Sequence, residues 1–250
     1  MLRVLMFSLI MFLFAGHAYS NTLPAPRQPA PPKTPVKHML PAHKHSAACE
    51  RTSTEPVQII CILDRSGSMS NLAGDTIGGY NSFIEQQRKK SGAAEVTTVL
   101  FDDQYEKITD AVDLQAVPEL TSAQYYARGT TALLDAVGRT IMDVAGKMER
   151  DGICPARRSV LVMIMTDGYE NASKEYRKAD VKSLIETTTN DYKWNYVFMG
   201  ANIDSASEAG GIGINRRHAA NYAPNRSGVR ESFDRMSEAA DKVRERGTLD

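Results

Sequence analysis

Apolar residues recur along this chain in two rhythms. Residues 57–63 and 159–165 are near-continuous apolar runs, the pattern of parallel strands buried on both faces. Residues 194–199 form a third such run, 95–101 a fourth strand, and 107–114 alternates in the manner of an edge strand. Helical spacing fills the intervals. Residues 75–90 put Ile77, Tyr80, Phe83 and Ile84 on one face, and 133–150 does the same with Leu134, Val137, Ile141, Val144 and Ala145. A helix core at 181–189, a short helix at 205–209, a strand near 219–222 and a charged final helix at 228–246 complete the pattern. The final helix carries the stripe Phe233, Met236, Ala240 and Val243. Strands alternating with helices predict an α/β fold, a Rossmann-like doubly wound and mostly parallel sheet with helices on both faces. Such sheets bind ligands beyond the carboxyl ends of their strands, so functional residues are expected where each apolar run stops.

The N-terminal region follows neither rhythm. Arg3 precedes an apolar stretch at 4–15, and Ala18-Tyr19-Ser20 places small residues at signal-peptidase spacing, so residues 1–20 read as a secretory signal cleaved after Ser20. The stretch is well short of the ~20 apolar residues a membrane-spanning helix needs, so no membrane insertion is expected after cleavage. Residues 21–55 contain Pro24, Pro26, Pro29, Pro31, Pro32, Pro35 and Pro41 and few bulky apolar side chains, the composition of a semi-extended disordered tether. His38, His43 and His45 read as solvated residues of that tether. The folded domain is expected at 56–250, and the protein in the periplasm or secreted.

Composition narrows the function. The chain has 30 basic and 30 acidic side chains. That balance offers no long-range attraction for nucleic acid. Three cysteines, Cys49, Cys61 and Cys154, form no disulfide framework and no CxxC zinc pair. Cys61 reads as a small core hydrophobe, and a Cys49–Cys154 bridge as the less favoured outcome.

The candidate chemistry sits at the strand ends. The first run ends in Asp64-Arg65-Ser66-Gly67-Ser68, and the run at 159–165 is followed by Thr166-Asp167-Gly168. Between them, entering a helix, lies Arg128-Gly129-Thr130-Thr131. Two carboxylates and several hydroxyls are hard oxygen donors, suited to Mg2+ or Mn2+ over zinc or copper. Alternation of Asp64, Ser66 and Ser68 lets a turning loop aim three side chains at one point, with Gly67 expected to free the turn. Two negative charges leave a divalent ion with an open position for an outside carboxylate.

In order and spacing these segments resemble the von Willebrand factor type A domain and its metal-ion-dependent adhesion site. The resemblance spans residue 57 to the final helix. It implies a six-stranded sheet with one short antiparallel edge strand. It also implies hydroxyl contacts to the cation from Ser66, Ser68 and Thr131, with Asp64 and Asp167 acting mostly through water. The family threonine follows a Gly pair, whereas here Gly129 precedes two threonines. Its spacing before Ala136 selects Thr131, with Thr130 as the alternative, and helix N-capping is the plainer role for either. Asp102 and Asp103 read as loop carboxylates, Glu170 and Asn171 as rim residues, and Tyr169 as an exposed contact.

The function expected is a metal-dependent module that holds a protein partner through an Asp or Glu. The alternatives are a phosphatase-like, metal-dependent hydrolase using Asp64 and a purely structural cation. The phosphatase chemistry needs a second Asp where Ser66 stands. A serine nucleophile elbow needs Gly at 64 or 66. The Gly210-Gly211-Ile212-Gly213 run follows a helix rather than a strand, which does not suit dinucleotide binding.

Overall fold

A computed structural model describes Leu40 and residues 55–250. Six strands form one sheet: β1 (Val57–Asp64), β2 (Ala94–Phe101), β3 (Tyr105–Asp113), β4 (Val160–Asp167), β5 (Asn195–Ala201) and β6 (Ala219–Asn221). Five α-helices surround it: α1 (Ala73–Arg88), α2 (Leu133–Arg150), α3 (Lys178–Asn190), α4 (Ser205–Gly211) and α5 (Arg226–Arg246). The strand order is β3-β2-β1-β4-β5-β6. All neighbours are parallel except β2 and β3. The doubly wound expectation therefore holds in strand count and topology.

The antiparallel edge strand differs from the expectation in length. β3 spans nine residues, and the short strand is β6, which is parallel. The reason is local: only residues 102–104 join β2 to β3, too few for the crossover that parallel pairing requires.

Both faces of the sheet are buried, and the period of two in each strand sorts its side chains between two cores. Ile59, Cys61 and Leu63 of β1 join Leu161, Met163 and Met165 of β4 in a layer with Tyr80, Phe83, Phe233, Met236 and Val243 of α1 and α5. Ile60 and Ile62 join Val160, Val162 and Ile164 in the opposite layer, with Val137, Ile141, Leu184 and Ile185 of α2 and α3. The α5 stripe expected from the sequence thus lies in the core, and α5 packs beside α1. The two helices approach closely because Gly79 has no side chain, and a Cβ there would stand 2.2 Å from the Phe233 ring.

Cys61 is a free, buried thiol whose pKa burial pushes up to about 12, as a core position implies. Cys154 is disulfide-bonded, so the outcome less favoured from spacing is the one found for this residue. The remaining cysteine, Cys49, lies outside the described residues, as do the signal segment, the tether histidines and most of the tether. Leu40, within the segment expected to be a tether, is buried in the α2–α3 core layer. Glu55 accepts an ion pair from Arg157 at 3.2 Å, near the start of β1.

Candidate metal centre

The site lies where chain connectivity diverges. β1 sends the chain to β2 on one side, while its other neighbour is β4, leaving a crevice at their carboxyl ends. Asp64 is the last residue of β1 and Asp167 the last of β4. Hydrogen bonds bring the flanking segments to this crevice. Asp64 Oδ1 accepts the Ser66 backbone N–H at 2.7 Å, and its Oδ2 accepts the Thr166 hydroxyl at 2.7 Å and the Asp167 N–H at 3.4 Å. The Ser66 and Ser68 hydroxyls are 3.1 Å apart, with Ser66 buried and Ser68 exposed.

The helix-entry segment is stitched to the same loop by its backbone. Gly67 N–H donates to Gly129 O at 3.2 Å, and Arg128 N–H to Arg65 O at 2.9 Å. Gly129 has a φ of +63°, which favours glycine. Gly67 is not in that region of backbone space. Glycine instead eases a close approach, because a Cβ would sit 3.3 Å from Gly129 O, a tight contact. This replaces the sequence-based reason for Gly67.

Thr131 is buried and Thr130 exposed. Neither caps α2, whose cap position is Ala132 with no side-chain cap bond. The β4 loop supplies that function instead. Glu170 accepts the Leu134 N–H at 2.9 Å, and Asn171 Oδ1 accepts the Thr131 N–H at 2.9 Å. Thr131 O accepts the Asn171 and Ala172 N–H groups at 3.0 and 3.2 Å. Asp135, in the first turn of α2, accepts the backbone N–H groups of Lys174, Glu175 and Tyr176 at 2.7, 2.9 and 2.8 Å. Glu170 and Asn171 are therefore not simple rim residues. They lock the loop after β4 onto the α2 entry and so fix Thr131 relative to Asp167.

Asp102 corrects a second expectation. Its side chain is fully buried, and it accepts from Arg65 Nε at 3.1 Å and Arg128 Nε at 2.6 Å. Arg65 also pairs with Glu106 at 2.7 Å. The register places Asp64 opposite Phe101, so the residues that follow, Arg65 and Asp102, meet directly. Two residues beneath the site escaped the sequence reading. Asn202, one residue past β5, donates its amide to Asp167 Oδ1, and Tyr125 donates its hydroxyl to Asp64 O. Asn202 obeys the rule that functional residues follow apolar runs, and that signal was available.

The electrostatics fit a cation. Loss of hydration raises the Asp64 carboxyl above its usual pKa, against hydrogen bonds from Thr166, Ser66 and Asp167 that lower it. Burial likewise raises Asp167, with the Asn202 bond opposing. Among the described residues neither carboxylate has an ion-pair partner, although Asp102 nearby has two. Two desolvated negative charges without a counter-charge are costly unless a cation stands beside them. No group of three or more His, Cys, Asp or Glu suited to a metal exists among the described residues. The donors gathered here are two carboxylates and the Ser66 and Ser68 hydroxyls, hard oxygens throughout, with Thr131 held by its backbone at the adjoining helix entry.

Sequence comparison decides the family. A family model for the VWA domain containing CoxE-like protein matches residues 35–190. The chain belongs to that family. No curated protein matches it by sequence. Its VWA fold is shared with solved structures of low identity. A von Willebrand factor type A protein from Catenulispora acidiphila aligns with a TM-score of 0.55 and 14% identity, over 74% of this chain and 43% of the other. The pilus adhesin SpaC from Lactobacillus rhamnosus GG gives 0.54 and 12% identity, over 76% and 31%. Proximal thread matrix protein 1 of the mussel byssus, solved with a zinc-occupied MIDAS motif, gives 0.50 and 12%, over 74% and 47%. This VWA chain therefore spans less than half the length of those solved chains.

Proposed function

We propose that the protein is an exported interaction module that grips an acidic residue of a partner protein through a divalent cation. Ser66, Ser68 and Thr131 hold the cation by their hydroxyls, and Asp64 and Asp167 supply compensating charge, mostly through water. The observation that carries this reading is the pair of buried carboxylates, each raised by desolvation and neither ion-paired, at one strand-end crevice with converging hydroxyls. When bound, the cation supplies an electrophilic position for a partner carboxylate oxygen. The protein contributes a preset frame: Asn171 holds the Thr131 backbone, Thr166 and Ser66 orient Asp64, and Asn202 orients Asp167. Mg2+ is the assigned ion, with Mn2+ as its substitute, because every donor is oxygen. The zinc in the byssus protein's MIDAS motif supports a divalent cation in such a site without choosing among them.

Export is part of the same reading. The segment at 1–20 has the layout of a cleaved signal, and a disulfide at Cys154 suits an oxidising compartment such as the periplasm or the extracellular space. Calorimetric and thermal titration of Mg2+ and Mn2+ tests the core claim. Saturable binding is expected, with stabilisation of about 2.7 kcal/mol at a hundredfold excess over Kd. Asp64→Ala combined with Ser66→Ala is expected to abolish both effects. Absence of binding at millimolar metal would sink the proposal.

A further inference from the structure

Large apolar side chains in the described structure are shielded except at two positions: Tyr126 is 45% exposed and Tyr169 56% exposed. Single exposed aromatics are ordinary on protein surfaces. These two both belong to the loops that build the site. Tyr169 lies two residues after Asp167, and a Cβ on the intervening Gly168 would be 3.8 Å from the Ser68 hydroxyl. Tyr126 lies two residues before Arg128, whose N–H bonds the Arg65 carbonyl. Both tyrosines thus border the loop that ends β1, Tyr126 beside Arg65 and Tyr169 beside the residue that faces Ser68.

Tyr126 is also splinted. Arg128 Nη1 donates to its hydroxyl at 2.9 Å, and the Arg128 and Arg65 guanidinium carbons lie 5.2 and 5.7 Å from its ring centroid. Arg128 in turn is fixed by Asp102 at 2.6 Å and Gln104 at 3.2 Å. A ring held in place beforehand loses little freedom when a partner arrives. Aromatic residues at the centre of an interface carry a large share of its binding energy. The charges point the same way. Both arginines are already consumed by Asp102 and Glu106, whereas Asp103 is exposed beside Gly129. Beside Tyr126, a second partner carboxylate would therefore meet two guanidiniums already paired and the repelling charge of Asp103.

We infer that Tyr126 and Tyr169 form an apolar clamp bordering the metal loop, built for a single Asp or Glu set among apolar residues of a partner protein. This rests on the metal-dependent reading above and adds what surrounds the coordinating carboxylate.

Random linear peptides displayed on phage, selected on the purified full chain in Mg2+ and eluted with EDTA, test it. The enriched peptides are expected to carry one acidic residue with aliphatic, proline or aromatic neighbours. Their affinity is expected to fall by about tenfold or more in Tyr126→Ala and in Tyr169→Ala, and to stay near wild type in Tyr126→Phe. Calorimetric Mg2+ affinity of all three variants is expected to match wild type. Enrichment of polyacidic peptides, of peptides without a carboxylate, or of nothing eluted by EDTA overturns the clamp. So does unchanged peptide affinity in both alanine variants. If the wild-type chain binds no metal in calorimetry, the underlying reading fails as well. If metal binds and the tyrosine variants behave as wild type, only the clamp fails.

Discussion

Asp135 offers the sharpest test of how the site is held. It touches no proposed ligand atom, yet its carboxylate receives three backbone N–H groups from the loop after β4. Asp135→Asn keeps the size and removes the charge. Oδ2 serves Lys174 alone, and Oδ1 serves Glu175 and Tyr176. The amide nitrogen therefore replaces Oδ2, loses the Lys174 bond and faces another donor. Hydrogen bonds to a charged acceptor contribute about 1.5–3 kcal/mol and neutral ones about 0.5–1.5. One bond lost and two weakened by about 1 kcal/mol each give a gross cost of about 3.5–5 kcal/mol. The loop is part-exposed, and water replacing the lost partner recovers roughly half of that. The expected net loss is about 2–2.5 kcal/mol, or about 4–10 °C in Tm for a domain of this size. Urea unfolding in EDTA measures it free of metal effects, and Mg2+ calorimetry on the same variant should show weaker binding as Thr131 loosens. A stability loss below about 0.5 kcal/mol, typical of an unimportant surface change, would refute the view that this carboxylate pins the loop.

Other perturbations probe separate parts. Asp102→Ala takes from the buried Arg65 guanidinium its one fully buried counter-charge, leaving Glu106, and should cost about 3 kcal/mol in urea unfolding, against near-neutrality if Asp102 were a loop carboxylate. Gly79→Ala drives a methyl into the Phe233 ring and should cost about 1–3 kcal/mol; Phe233→Leu in the same chain should recover part of it, as a double-mutant cycle would show. Reduction with dithiothreitol should lower stability by about 2–4 kcal/mol through the Cys154 disulfide, and a melting curve unchanged by reductant would contradict that bond.

The fold was legible because its signals are periodic. The run at 57–63 predicts a doubly buried strand, and β1 is buried at every position. The 133–150 helix matches its predicted span because apolar spacing persists from end to end. The meeting of the strand-end segments was legible for a different reason: in a doubly wound sheet the residues after β1 and β4 must share one edge, and Asp64 there bonds Ser66, Thr166 and Asp167. What stayed hidden was cross-chain pairing. Arg65 meets Asp102 only once the β1–β2 register is known, and Glu170, Asn171 and Asp135 connect segments separated by some forty residues with no repeating pattern. Tyr125, buried under Asp64, carries no local mark of its role. Sequence periodicity thus supplied the elements, while the bonds that rigidify the site depend on tertiary proximity alone.

β1 links two opposite poles of the molecule. Glu55, ion-paired to Arg157, lies at its start, and Asp64 lies at its end. Tension between the upstream segment and a partner gripped at Ser66 and Ser68 would therefore run along the axis of one central strand. That strand is paired in parallel with β2 over eight positions and with β4 over six. Both forces would then act on the two ends of that one strand, so the load would pass through its covalent backbone while the flanking ladders only hold it in register. Under the proposed function, a pull entering at one end of β1 would leave at the other without crossing a hydrogen-bond ladder.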